Sequence, residues 1–191
     1  MDSPVLIKNR YEVKNVLGRG ATGVVYHAFD TLAQREVALK ALRGSANGGS
    51  ADLFLRECGM LTALVHPNIV EILDAGEFAE DGGAVKAYFS MPLLAGRTLH
   101  DLLYPAAQPL PPERGAELIA RACRGLHAAH ESGLLHRDIK PRHIFVMAGD
   151  AVKLMDFGVV RLLGGQTPGG LGGFGTLHYI CLLYTSPSPR D

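Results

Sequence analysis

Two short motifs carry the chemistry available to this sequence. His136-Arg137-Asp138-Ile139-Lys140-Pro141 offers a carboxylate with an amine two residues on, and Asp156-Phe157-Gly158 offers a second carboxylate. Carboxylates on adjacent loops hold a divalent metal, polarise a hydroxyl and organise a triphosphate, which is the equipment of phosphoryl transfer from ATP. Asp138 is the candidate base that orients an attacking hydroxyl and accepts its proton. Lys140, along the same loop, is placed to stabilise charge on the transferring group. Asp156 is the candidate chelator of Mg²⁺, a hard ion that takes oxygen ligands. Either string alone arises by chance. In this order, behind a glycine loop and a strand lysine, they do not.

The glycine loop is Gly18-Arg19-Gly20-Ala21-Thr22-Gly23-Val24-Val25, a fit to G-x-G-x-x-G-x-V. Glycines let a hairpin close over phosphates where a Cβ would obstruct the approach, and Val25 can press on a purine face. Alone it is weak, since a glycine hairpin is more often only a turn. A dinucleotide fingerprint would open a helix, whereas Val24-Val25-Tyr26 opens a strand. In Val37-Ala38-Leu39-Lys40, alternation puts Val37 and Leu39 on one face and Ala38 and Lys40 on the other, towards the glycine loop. Lys40 then neutralises phosphate oxygens if a carboxylate steadies it. Glu57 is the candidate, because Leu61 follows one turn later on the same helix face.

These residues need a frame. Strands are predicted at Tyr11–Leu17, Gly23–Phe29, Glu36–Ala41, Ile69–Leu73 and Val85–Met91, completing a five-stranded antiparallel sheet. One helix, Asp52–Leu64, has Phe54, Cys58, Leu61 and Leu64 on one face and ends at His66-Pro67-Asn68. A second helix starts at Pro111-Pro112, carries the stripe Leu118, Ile119, Ala122, Leu126 and Ala129, and stops at Gly133. Leu134-Leu135, Ile144–Met147 and Val152–Met155 read as short strands around Asp138. The stretch Gly164–Gly175 is glycine-rich, and no internal repeat appears.

Of the 191 residues, 19 are basic and 19 acidic, so no polyelectrolyte partner such as nucleic acid or an anionic membrane is implied. No apolar run reaches membrane-spanning length, and Asp2 and Pro4 spoil a signal peptide. Cys58, Cys123 and Cys181 form no metal-like spacing or evident disulfide set, which suits a reducing cytoplasm. Cys181–Asp191, CLLYTSPSPRD, is aperiodic and joins nothing before it. It resembles read-through into a transposase-type sequencing adaptor and is expected to stand outside the fold.

From Tyr11 to Ile180 the sequence resembles the eukaryotic-type (Hanks-type) protein kinases, as also found in bacteria. Lys140 followed by Pro141 is similar to the serine/threonine branch. The resemblance implies an α+β bilobal fold: residues 1–10 as a leader, 11–91 as a five-stranded antiparallel N-lobe with one helix, 92–96 as hinge, and 97–180 as part of a mostly helical C-lobe. It implies ATP in the cleft against Leu17, Gly18, Gly20, Gly23, Val25, Ala38, Lys40, Met91, Pro92, Leu94 and Phe145, with Met91 as gatekeeper. It also implies a Lys40–Glu57 pair, and a stacked spine of Leu61, Ile72, His136 and Phe157. Gly175-Thr176 resembles the segment that receives a serine or threonine hydroxyl of a protein substrate. Arg137 is the family's sign of activation-loop phosphorylation, with Thr167 the candidate site.

Two departures from the family pattern stand out. His143 occupies the position of the asparagine that serves as second metal ligand, which raises Mn²⁺ as an alternative to Mg²⁺ and a nucleotide-binding scaffold as an alternative to an enzyme. An Ala-Pro-Glu motif and the helices beyond Tyr179 are also missing. The apolar stripe of the Pro111–Ser132 helix is therefore expected to stand partly exposed, and the chain alone to be unstable and inactive.

Overall fold

The computed structural model describes residues 6–20, 23–43, 58–59, 61–79, 84–104, 109–136 and 138–157. Glu57, Arg137, Gly158, Thr167, Gly175-Thr176 and the 181–191 tail lie outside them.

The first lobe is one antiparallel sheet built from β1 (Leu6–Ile7), β2 (Tyr11–Gly20), β3 (Gly23–Asp30), β4 (Arg35–Leu42), β5 (Asp74–Ala79) and β6 (Val85–Pro92), in the order β1-β2-β3-β4-β6-β5. It therefore has six strands rather than five, because part of the expected leader pairs: Leu6 opposes Glu12 and Ile7 opposes Tyr11. Arg10 fastens this edge, forking onto Asp30 at 2.8 and 2.7 Å. Alternation along β4 follows the sequence pattern. Val37, Leu39 and Ala41 join a cluster with Tyr11 and Tyr88 behind the sheet, whereas Ala38 and Leu42 face the other way.

The strand expected at Ile69–Leu73 lies five residues later, at Asp74–Ala79. Asp74-Ala75-Gly76-Glu77 has little strand propensity, so its ladder with β6 is a tertiary effect. Ile69, Val70 and Ile72 are apolar for another reason: they cross between the lobes within the larger core cluster. Ile69 makes a lone parallel bridge to Leu154, and Val70 N–H donates to the Leu154 carbonyl at 2.9 Å. Helical backbone at 58–59 and 61–63 packs Cys58 and Leu61 into the same core and ends before His66.

The second lobe contains β7 (Gly96–Thr98), α1 (Leu99–Leu103), α2 (Pro112–Glu131), β8 (Ile144–Met147) and β9 (Val152–Leu154), with β7-β8-β9 forming a small sheet. α1 starts at a capping box in which Thr98 and Asp101 satisfy each other's backbone groups. α2 runs as the sequence predicts, with Gly133 at φ +75° just past its end. Leu118, Ala122 and Ala129 of its stripe are buried and Leu126 packs beside them, so only Ile119, 44% exposed, meets the expectation of an open stripe. Gly125 belongs to the buried face instead: a Cβ there would lie 2.7 Å from the Asn68 carbonyl oxygen. Leu134-Leu135 forms no strand.

Candidate functional site

A cleft of about 440 Å³ separates the two lobes. Leu17, Gly18, Val25 and Ala38 roof it, Met91–Leu94 wall it, and Phe145, Met155 and Asp156 floor it. Of the residues predicted to touch a nucleotide, the structure brings Leu17, Gly18, Val25, Ala38, Met91, Pro92, Leu94 and Phe145 to this one surface. Gly20, Gly23 and Lys40 are not on it. Gly23 instead closes the β2–β3 hairpin against β4, where a Cβ would lie 2.2 Å from the Ala41 carbonyl oxygen. Leu93 and Gly96, within the expected hinge, also line the cleft, as do Thr98 and Met155, which the sequence did not single out.

At the inner end the charged groups converge. Lys40, with only 3% of its side chain exposed, donates to Asp156 Oδ1 at 2.5 Å. The expected partner of this lysine, Glu57, lies outside the described residues. Burial pushes the Asp156 carboxyl up, but the charge and hydrogen bond of Lys40 outweigh it and hold the group below its usual range. Asp156 also has φ +58°, a left-handed conformation that costs a non-glycine residue about 1 kcal/mol or more and recurs where surrounding structure fixes a functional side chain.

Asp138 sits on the neighbouring loop, with Lys140 Nζ 2.7 Å from its Oδ2. A histidine strut ties the two carboxylate loops together. His136 Nε2 lies 2.9 Å from the Met155 carbonyl, which only accepts, so Nε2 carries the hydrogen and Nδ1 is free to accept the Asp138 N–H at 3.4 Å. The Phe157 ring packs against this imidazole at a tilt of 42°, with centroids 4.6 Å apart, and Phe157, Leu61 and Ile72 are buried. Desolvation lowers the His136 pKa, which keeps the strut neutral.

His143 faces both carboxylates, its Nδ1 3.8 Å from Asp138 Oδ2 and its Nε2 3.8 Å from Asp156 Oδ2. Nδ1 also lies 2.7 Å from the Asp138 carbonyl oxygen and must donate to it. That bond fixes the tautomer, leaving the Nε2 lone pair turned towards Asp156. Burial lowers the pKa of this imidazole as well, so the lone pair is available at neutral pH.

A glycine-edged apolar cleft thus ends in a buried lysine and two carboxylates, and comparison with known proteins gives the family. The model for "Protein kinase domain" matches residues 11–182. The chain belongs to the protein kinase family. It is similar to serine/threonine-protein kinase PknB of Mycobacterium leprae, 39% identical over 169 residues that make up 87% of this chain and 27% of that protein. PknB of Mycobacterium tuberculosis is 40% identical over 165 residues, covering 85% of this chain and 26% of the relative. Among solved structures, a point mutant of the PknI kinase domain of Mycobacterium tuberculosis superposes with TM-score 0.70 at 30% identity, over 83% of this chain and 63% of that one. The chain thus spans about a quarter of the length of the PknB relatives. The bilobal kinase fold stands, and the family works with ATP and a divalent metal ion. Among the described residues no helix is long and apolar enough to cross a membrane.

Proposed function

We propose that the protein transfers the γ-phosphoryl group of ATP to serine or threonine hydroxyls of proteins. The observation that carries this reading is the meeting of Lys40 and Asp156 at 2.5 Å beside the Asp138–Lys140 pair, at the end of the apolar cleft. In this reading adenine lies between Val25, Ala38 and Phe145. Pro92 lacks an N–H and offers only its carbonyl, so a backbone donor of this wall comes from its neighbours. A Cβ at Gly18 or Gly20 would meet nothing within 4 Å, so packing does not require glycine there, which supports a loop kept bare for phosphates. Lys40 neutralises phosphate oxygens. Asp138 takes the proton of the attacking hydroxyl as the new P–O bond forms and the bond to the ADP oxygen breaks, and Lys140 balances charge on the moving group.

The donor set fits a divalent ion: Asp156 Oδ2 and His143 Nε2 face each other at a separation one ion can span. Asp156 and His143 would hold such an ion, which would supply positive charge to offset that of the phosphates. A neutral imidazole suits Mn²⁺ better than Mg²⁺, so Mn²⁺ is the preferred metal in this reading. The scaffold alternative rests on His143 alone, and the names of the PknB relatives, both serine/threonine-protein kinases, lend it no support.

The test is transfer of radiolabelled γ-phosphate to a protein acceptor with Mn²⁺ or Mg²⁺, followed by phosphoamino-acid analysis. Phosphoserine or phosphothreonine is expected, with a loss of about 100-fold or more in Asp138→Asn. Equal labelling by Asp138→Asn would overturn the assignment.

A further inference from the structure

Arg142 follows Lys140 by two residues, in the turn Pro141–His143, and is exposed. One of its guanidinium N–H groups lies 2.6 Å from Nε2 of His100 on α1. A guanidinium only donates, so Nε2 accepts and His100 is neutral in this contact. The imidazole is backed by the Tyr104 ring, with centroids 5.1 Å apart. Arg142 is therefore aimed by an uncharged acceptor, and its positive charge is not spent. The nearest acid on α1, Asp101, feels that charge, but its carboxylate is bound by the Thr98 hydroxyl at 2.6 Å.

The location gives this charge a use. Thr98, which caps α1, lines the cleft, and Asp138 stands four residues before Arg142 in one loop. The Arg142–His100 contact thus joins the cleft mouth to the loop that carries Asp138. The other charges nearby are matched: Asp138 by Lys140 at 2.7 Å and Asp156 by Lys40 at 2.5 Å.

We propose that Arg142, held by His100, selects acceptor segments that carry a carboxylate close to the phosphorylated hydroxyl. A planar guanidinium fork binds a carboxylate through two parallel hydrogen bonds, and one fixed in advance loses less freedom on binding. This inference rests on the kinase reading and names its substrate class: serine or threonine peptides flanked by Asp or Glu.

The experiment uses the protein at its natural length and three serine peptides that differ only in flanking residues, glutamate, alanine or lysine. ATP binding is read separately with a fluorescent ATP analogue. The glutamate peptide should exceed the alanine peptide about fivefold in kcat/KM, through KM, with the margin shrinking as salt is raised. Arg142→Ala should erase that margin with ATP binding unchanged, Arg142→Lys should keep part of it, and Arg142→Glu should favour the lysine peptide. Equal kcat/KM for the three peptides, or a glutamate preference that survives Arg142→Glu, overturns the inference while leaving the kinase reading intact. Transfer to none of them overturns the inference, and the ATP signal then decides whether the kinase reading falls with it.

Discussion

Lys40→Met isolates the interaction on which the site depends. At an effective dielectric constant of about 20, unit charges at the observed 2.5 Å attract by about 7 kcal/mol. Burying the lysine until 3% of its side chain remains exposed gives back several kcal/mol of that gain. Asp156 keeps 25% exposure, and water can partly replace the lost partner, so the low end of the range for broken buried pairs applies, about 3 kcal/mol. For a chain of this size that is a fall of about 9 °C in melting temperature. The pH dependence carries the sharper signature. In the native protein the Asp156 pKa is depressed, so its contribution is complete above the unfolded value and is lost as pH falls through the folded one. Without Lys40 only the weaker influence of His143 and His136 opposes burial, the pKa rises above its ordinary value, and the variant gains stability as pH drops from neutral towards 5. Urea denaturation between pH 4 and 7 reads both slopes, and the double variant Lys40→Met/Asp156→Asn should recover most of the loss. Additive losses in the double variant, or parallel pH profiles, would refute the coupling.

Three further outcomes follow from the geometry. His143→Asn should reduce the preference for Mn²⁺ over Mg²⁺ by about tenfold, measured by paramagnetic resonance titration of Mn²⁺ with a non-hydrolysable ATP analogue. Gly125→Ala should destabilise the protein by about 1–2 kcal/mol in denaturant melts, although alanine favours a helix, because the new Cβ meets the Asn68 backbone. Arg10→Met should cost about 3 kcal/mol at neutral pH, since Asp30 is only 1% exposed. The hydrogen bond from Arg10 lowers the Asp30 pKa, so the native advantage should begin to shrink below about pH 4 and be lost as pH falls through the depressed folded value.

Local patterns made much of this protein legible. Period-two alternation placed Ala38 and Lys40 on the cleft face of β4, and the 3.6-residue stripe with Pro112 and Gly133 bounded α2 within a residue or two. What escaped was tertiary in origin. Asp74–Ala79 is a strand because β6 is beside it, not because its residues favour one. Ile69–Leu73 looked like a strand because core burial selects the same apolar types. β7 is three residues long, too short for periodicity, although the Thr98–Asp101 capping box of α1 was present to be read. The candidate site residues were visible by type and order. Their wiring was not: the neutral strut of His136, the tautomer imposed on His143 by a backbone carbonyl, and the neutral hold of His100 on Arg142 all depend on atoms far apart in the chain.

The account turns on a triphosphate lying against Lys40. An acyl-phosphate derivative of ATP delivers its acyl group to amines that touch the phosphates, and peptide mapping then locates the label. Labelling concentrated on Lys40, with Lys140 second, and suppressed by ATP, is the predicted result. Label scattered over exposed lysines such as Lys14, indifferent to ATP, would contradict it.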